Sequence, residues 1–519
     1  MPSSCSTVLN FHSYCSVYIA TTSNLTASEF NPFADGSYSS GPTKKIVKTP
    51  DITYDSTTGR ISFGASGTYF VTYSGGAVAN STSTAVIRIK HNDADVLVTT
   101  GIRTKPQMSP KVINVNCMVT VQAGDNITAT FDGTSANNGT TAGTHITAIK
   151  TNSHYATAYY TADATEQTST ALYPIYDTAN EGGTVVSNTS GINYSGADGG
   201  FTVTADGTYL LFSTFIADIS GNEDYDHTIK IDSTTVDDLS VGTSGLQAPQ
   251  CWPYAMIVSA DADEIITINT HVKVDPNGGF TIKKGTGVSI LDISNNDTLP
   301  SALLSLTLVE DTDDFGTSSG DKDIFDEANT TSATYAVTNH ITAAGITYDK
   351  TDGTFTVAQS GDYLVMATFG LADTTTSHGV TLKITIDDTV YYTVSYETRA
   401  ASAPNSFPVC LVISLGAGEA LNFLVEDAGA KVADGSSVSI VRLDEVGGSR
   451  DLFAEGGLIG DSPEGLIQND FDINTHDKQN QRYRRVEQGP FWLGVRGAGT
   501  IRRPCASTAV SKTEKGDKD

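Results

Sequence analysis

The chain has 519 residues, 39% of them hydrophobic and 17% charged, and a formal net charge of −28. That length is too great for one hydrophobic core and predicts about three or four domains. The charge argues against binding nucleic acid or an anionic membrane, because like charges repel over a screening length of about 8 Å.

Glycine (48 residues) and long runs of Thr, Ser and Ala suit short strands joined by many turns. Helical periodicity is nearly absent, and apolar residues alternate with period two instead. Residues 1–21 lack the basic start and unbroken apolar stretch of a signal peptide, so synthesis in a cytosol is expected. No run approaches the roughly 20 apolar residues that cross a bilayer.

The first recognisable block, residues 52–73, reads ITYDSTTGRISFGASGTYFVTY. It predicts a strand end, a polar Gly turn, a strand centred on Phe63, a second turn at Gly67 and an aromatic strand. AVIRIK from Ala85, MVTVQAGDNITATF from Met118 and THITAIK from Thr144 follow as further strands. The same order recurs twice. Residues 192–215 read INYSGADGGFTVTADGTYLLFSTF, with HTIKID from His227, MIVSADADEIITIN from Met256 and GVSILDI from Gly287 downstream. Residues 346–369 read ITYDKTDGTFTVAQSGDYLVMATF, followed by TLKITID from Thr381, LVISLGAGEALNFLV from Leu411 and SVSIVRL from Ser437.

The turn glycines Gly67, Gly207 and Gly361 lie about 140 and 154 residues apart, the length of a jelly roll rather than of a solenoid repeat. The expected architecture is all-β: three tandem antiparallel jelly-roll sandwiches over 1–150, 151–297 and 298–447, then a tail over 448–519.

Tyr54-Asp55, Thr58-Gly59, Phe63, Gly67, Tyr69-Phe70 and Ala123-Gly124-Asp125 make the first copy resemble the globular head of complement's first component and the related tumour necrosis factor-like jelly rolls. The third copy is similar through Tyr348-Asp349, Asp352-Gly353, Phe355, Gly361, Tyr363 and Ala417-Gly418-Glu419. The second departs, with Ser195 in place of the Asp and Asp263 in place of the turn glycine. The resemblance covers roughly residues 8–447 and implies threefold assembly through one sheet.

The aromatic strands support that implication on their own. A sandwich strand that wets one face should alternate, yet these are apolar on both. Tyr209, Leu211 and Phe215 oppose Leu210, Phe212 and Ile216, and Tyr363, Val365 and Phe369 oppose Leu364 and Met366. The candidate inter-module residues are therefore Phe70, Tyr209, Leu210, Phe212, Phe215, Tyr363, Leu364, Met366 and Phe369. The first copy offers little on its outward face beyond Phe70. Three modules of one chain around a pseudo-threefold axis, or three chains stacking successive trimers, would both cover those faces. The short linkers, Ile149 to Tyr155 and Ile293 to Leu303, favour closure within one chain.

In the tail, Lys478, Arg482, Arg484, Arg485, Arg496, Arg502 and Arg503 face a single acid, Glu487, and Phe491 and Trp492 stand among them. A docking arm onto another protein, a strap across the chain's own acidic modules and a nucleic-acid arm are the three readings, in that order of preference.

No catalytic motif occurs, the nine histidines are isolated, and no cofactor is expected. Cys5, Cys15, Cys117, Cys251, Cys410 and Cys505 have no zinc-ligand spacing, and Cys117 and Cys410 read as buried thiols. The acidic clusters Asp311/Asp313/Asp314, Glu223/Asp224/Asp226 and Asp261/Asp263/Glu264 would suit calcium but lack EF-hand spacing, which favours solvated turns. The leading expectation is a non-enzymatic virion structural protein, a head decoration, fibre or appendage of a phage or virus. It would be made in the host cytoplasm and dock on capsid or other virion proteins through Arg482, Arg484, Arg485, Phe491, Trp492, Arg496, Arg502 and Arg503. The alternative is an adhesin or host-recognition module with a cell-surface ligand.

Overall fold

The computed structural model describes residues 13–443 except the connecting stretches 22–28, 38–41, 79–82, 105–110, 134–138, 152–153, 165–172, 178–183, 220–223, 243–248, 273–279, 295–301, 309–319, 328–336, 344, 374–378, 398–404 and 427–429. The tail, with every arginine and aromatic proposed for docking, lies outside the described residues. The described chain falls within one compact unit, 8–445.

Three jelly-roll sandwiches follow one another, each made of two six-stranded antiparallel sheets. In the first, an inner sheet runs in the order Lys111–Val121, Gly67–Val78, His145–Thr151, Tyr14–Ile19, Lys44–Lys48. The outer sheet runs Ile52–Asp55, Arg60–Phe63, Asn126–Gly133, Ser83–His91, Asp95–Thr104. The second and third sandwiches repeat this order, with Gln250–Ala260 and Asn405–Leu415 as the inner-sheet edges that correspond to Lys111–Val121. Two hairpins of sequence-adjacent strands pair in each outer sheet, as Ile52–Asp55 with Arg60–Phe63 and Ser83–His91 with Asp95–Thr104, and the first strand of each copy lies beside the last, as Tyr14 beside Ile149.

Short outer strands such as Arg60–Phe63 and Thr354–Val357 alternate buried with more exposed positions, as a half-wetted sheet does. Inner strands do not. Leu303–Leu308 and Ser437–Arg442 are buried at every position.

Three tyrosines brace the turn before each aromatic strand by donating to the carbonyl four residues back: Tyr69 to Ala65 (3.1 Å), Tyr209 to Ala205 (2.6 Å) and Tyr363 to Gln359 (2.6 Å). The second copy's departure at Asp263 is accommodated in the backbone. Asp263 takes φ of 70°, the left-handed conformation that Gly124 (94°) and Gly418 (86°) hold in the other two.

One core position differs in kind. Ile89, Ile229 and Ile384 occupy the same place in the three outer sheets, and two residues before them stand Ile87, His227 and Leu382. His227 is fully buried between Phe215 and Tyr254, and neither ring nitrogen has a partner. Desolvation pulls its pKa down to about 4. Two unsatisfied nitrogens in an apolar core cost stability. His227→Leu, the side chain of the third copy, is expected to raise the free energy of unfolding at neutral pH by about 1–3 kcal/mol, measured by urea titration.

Candidate functional site at the pseudo-threefold seam

The two faces of each inner sheet belong to different cores. Tyr209, Leu211 and Phe215 sit in the second module's own core, and Tyr363, Val365 and Phe369 in the third's. Phe70, Leu210, Phe212, Leu364 and Met366 gather instead in a central cluster with Tyr14, Ile149, Ile257, Leu303 and Val412, drawn from all three modules. Four of the nine candidate packing residues are thus corrected: Tyr209, Phe215, Tyr363 and Phe369 fill the sandwich to which they belong. The remaining five meet around the axis, with Phe70 and Phe212 ring centroids 5.6 Å apart. Each contributes about 1.5–3 kcal/mol of burial.

The three modules are related head to tail. The inner-sheet edge of each lies against the inner sheet of the next, and the third closes on the first. An edge strand has bare N–H and C=O groups on its open side, which inside a protein must find partners. Asn116, Ala255 and Cys410 occupy equivalent places on the three edges, opposite Thr72, Phe212 and Met366.

At the seam of modules 2 and 3, Ala255 N–H donates to Thr368 Oγ1 (2.9 Å) and its carbonyl accepts from Ser437 Oγ (3.1 Å). Ile257 N–H donates to Ser439 Oγ (3.2 Å), and its carbonyl accepts from Ser305 Oγ (3.1 Å). At the seam of modules 3 and 1, Cys410 N–H donates to His145 Nε2 (3.2 Å), and its carbonyl accepts from Thr147 Oγ1 (2.7 Å). At the seam of modules 1 and 2, side chains do this work: Asn116 Nδ2 donates to Thr214 Oγ1 (2.9 Å), and Ser289 Oγ donates to Asn116 Oδ1 (2.9 Å).

Cross-strand hydroxyl pairs recur in each module beneath these bonds: Ser16 with Thr147 (2.9 Å), Thr157 with Ser289 (3.2 Å) and Ser305 with Ser439 (2.8 Å). Sequence reasoning missed this hydroxyl layer. Its signal was a small polar residue interrupting otherwise apolar strands at the same place in three copies, as in HITAIK, GVSILD and SVSIVR.

The seam of modules 3 and 1, which no linker joins, carries further polar contacts. Tyr14 donates to Asp362, Tyr18 to the Tyr391 carbonyl, and Tyr392 to the Gly143 carbonyl (3.0 Å). Lys45 donates to the Tyr391 carbonyl (2.8 Å) with its ammonium 4.1 Å from the Tyr391 ring centroid. His145 is fully buried there, with Nδ1 2.9 Å from the Gly143 carbonyl, so Nδ1 carries the proton and Nε2 is the acceptor. Burial lowers its pKa to about 4.

A turn glycine also reaches across each seam. Gly143 lies against Val394 and the Thr393 carbonyl, Gly285 against Thr99 and Thr100, and Gly435 against Asp238 and Leu239. All three have left-handed φ, at 85°, 93° and 72°.

Cys15, Cys117, Cys251 and Cys410 are buried free thiols, the last two at the seams; burial pushes Cys117 and Cys251 up to about 12. Of the acidic clusters, Asp261, Asp263 and Glu264 form a turn in which Glu264 accepts from Asp261 N–H (2.7 Å). Glu223, Asp311, Asp313 and Asp314 lie outside the described residues. Among the described residues no three His, Cys, Asp or Glu side chains converge as metal ligands, and no helix is long and apolar enough to cross a membrane.

No family model and no curated protein matches the chain. Solved structures to which it is similar include murine APRIL, at 15% identity over 27% of this chain and 99% of that one (TM-score 0.21). Eiger TNF from S. frugiperda aligns at 16% identity over 28% and 97% (TM-score 0.19), and bushbaby GITRL at 13% over 28% and 99% (TM-score 0.18). Each such protein is about as long as one module; the jelly-roll assignment here stands on strand order and pairing.

Two outcomes follow from the seam. Gly143→Ala places a Cβ 2.5 Å from Val394 Cβ and 2.7 Å from the Thr393 carbonyl, at a φ that disfavours it. It should lower the unfolding free energy by about 2–5 kcal/mol, read by calorimetry. Because His145 is held neutral, its contribution is whole above its unfolded pKa near 6.5 and is lost as pH falls through about 4. Urea unfolding from pH 7 to pH 4 should therefore cost the wild type about 3 kcal/mol more than His145→Gln, a neutral side chain able to make both hydrogen bonds.

Proposed function

We propose that this chain is a non-enzymatic structural protein of a virion, a decoration, fibre or appendage whose three modules form one self-contained head. The observation that carries the reading is closure within a single chain. The apolar faces through which such modules would assemble are covered by sister modules, so the head needs no further copy to be complete. Its first and last described strands meet at one place: Tyr14 donates to Asp362, and Leu443 N–H donates to the Asp362 carbonyl (2.8 Å). A head that begins and ends at one point suits a part held to a larger body by one stem, and the basic, aromatic stretch from Lys478 to Arg503 is the segment we assign to docking on a capsid or other virion protein. Assembly in the host cytoplasm and display on the particle belong to the same proposal.

Deleting residues 448–519 tests it. The truncated head is expected to keep its β-sheet circular dichroism and its melting temperature while losing association with purified particles. Particles whose mass-spectrometric inventory contains none of this chain would remove the virion reading, and a truncated head that still bound cells or glycans would favour the adhesin.

A further inference from the structure

The three inner-sheet edges converge on the pseudo-threefold axis, and their first residues enclose a cavity there. Lys111 and Val112 of module 1, Gln250 and Cys251 of module 2, and Asn405 and Ser406 of module 3 all line it. These are equivalent places, for Lys111, Gln250 and Asn405 pair with Ala77, Ala217 and Leu371 towards the far ends of the three aromatic strands. The chain enters and leaves at the other end, where Tyr14 and Leu443 meet Asp362. Asp362 and Leu371 lie about nine residues apart on the one strand Gly361–Asp373, so about 30 Å separates the cavity from that point.

The floor of the cavity is buried and its polar groups are engaged. Ser406 Oγ donates to the Pro253 carbonyl, and the Cys251 thiol donates to the Asn114 carbonyl (3.8 Å). Above it, the half-buried Lys111, Gln250 and Asn405 form a rim of one ammonium and two carboxamides. Among the described residues no carboxylate lines the cavity, although the chain has 59 Asp and Glu against 31 Lys and Arg. The space open to a water-sized group is about 20 Å³, and the whole recess with the solvent at its mouth about 370 Å³. One small polar group can therefore seat between the three side chains while the rest of its molecule stays outside.

Three identical subunits around an axis must present any charge three times or not at all. Three modules of one chain need not, and this axis carries a single positive charge with amide N–H donors from the other two modules. That is the complement of a monoanion with two acceptor oxygens, the ammonium answering its charge and the carboxamides its direction. A polyanion is disfavoured, because beyond a screening length of about 8 Å it meets a chain of net charge −28.

We propose that the axial cavity binds a single carboxylate, held by Lys111, Gln250 and Asn405. A free small acid and the acid group of a sugar share that chemistry. Neither depends on the docking assigned to the tail. Affinity is in the millimolar range, since an ion pair open to water contributes little.

The test is saturation-transfer NMR titration of the full chain at neutral pH with sodium acetate, with N-acetylneuraminic acid and with the methyl ester of that sugar acid. The wild type is compared with Lys111→Gln, which carries the residue module 2 uses at this place, with Gln250→Glu, and with Lys350→Gln, which removes an exposed lysine elsewhere. Thermal unfolding shows that each variant is folded. The wild type is expected to bind one acid per chain and not the ester. Lys111→Gln and Gln250→Glu should each weaken acid binding by about tenfold or more, and Lys350→Gln should leave it unchanged. A sugar acid bound more tightly than acetate identifies a glycan as the source of the carboxylate, and equal affinities identify a free acid. Acid binding as strong in Lys111→Gln as in the wild type would overturn the proposal, as would an ester bound as tightly as the acid, or a wild type that binds neither acid at high millimolar concentration.

Discussion

The open edge of the inner sheet is the constraint on which the rest of this molecule depends. Each sandwich ends in a strand with bare main-chain groups along one side, apolar on both faces in the second and third modules and carrying Asn114 and Asn116 outward in the first. Leaving either exposed invites aggregation, and burying the main chain without partners costs as much as lost hydrogen bonds. A neighbouring module answers both needs at once. It covers the apolar half of the strand with Phe70, Leu210, Phe212, Leu364 and Met366, and it meets the polar half with a row of Ser and Thr hydroxyls. The contact is heterologous, edge to sheet, and a heterologous contact that closes after three steps makes a ring.

Because the three seams belong to one chain, they have diverged. Seam 1–2 uses Asn114 and Asn116 side chains, seam 2–3 uses main chain against hydroxyls, and seam 3–1 uses histidine, tyrosine and lysine. The division follows connectivity. Modules 1 and 2 are joined from Thr151 to Tyr155, and modules 2 and 3 from Asp292 to Leu303, so linkers hold those pairs at high effective concentration. Modules 3 and 1 have no linker of their own, and that closing seam carries Tyr14–Asp362, Tyr18–Tyr391 and Lys45–Tyr391 in addition to the hydroxyl layer. Its buried His145 also makes it the seam most exposed to acid.

Much of the fold was legible along the chain. The repeated Ile-x-Tyr, Phe and Gly-x-Tyr positions mark equivalent strands and turns, and Cys117 and Cys410 are the buried thiols their apolar surroundings implied. Alternation correctly separated Leu210 and Phe212 from Tyr209, Leu211 and Phe215. It carried no label saying which set faces inward, and so Tyr209, Phe215, Tyr363 and Phe369 stood among the candidates for the seam. The hydroxyl layer was harder to see, because a serine in a strand looks the same whether it meets water or another module's carbonyl. The reach of the turn glycines across the seams left no signal either, since a left-handed glycine is equally at home in a solvent-exposed turn.

The sequence by itself determined the strands, their order and their two-sided apolar character, because these arise from residues two or four apart and from turn chemistry that is local. Only the tertiary structure decided what covers the second face, which hydroxyls serve the open edges, and that Lys111, Gln250 and Asn405 meet at one end of the axis. Those relations join residues a hundred or more positions apart, such as Ala255 with Thr368 and Thr147 with Cys410. No periodicity records them, because they come into being only when three separately patterned modules close on one another.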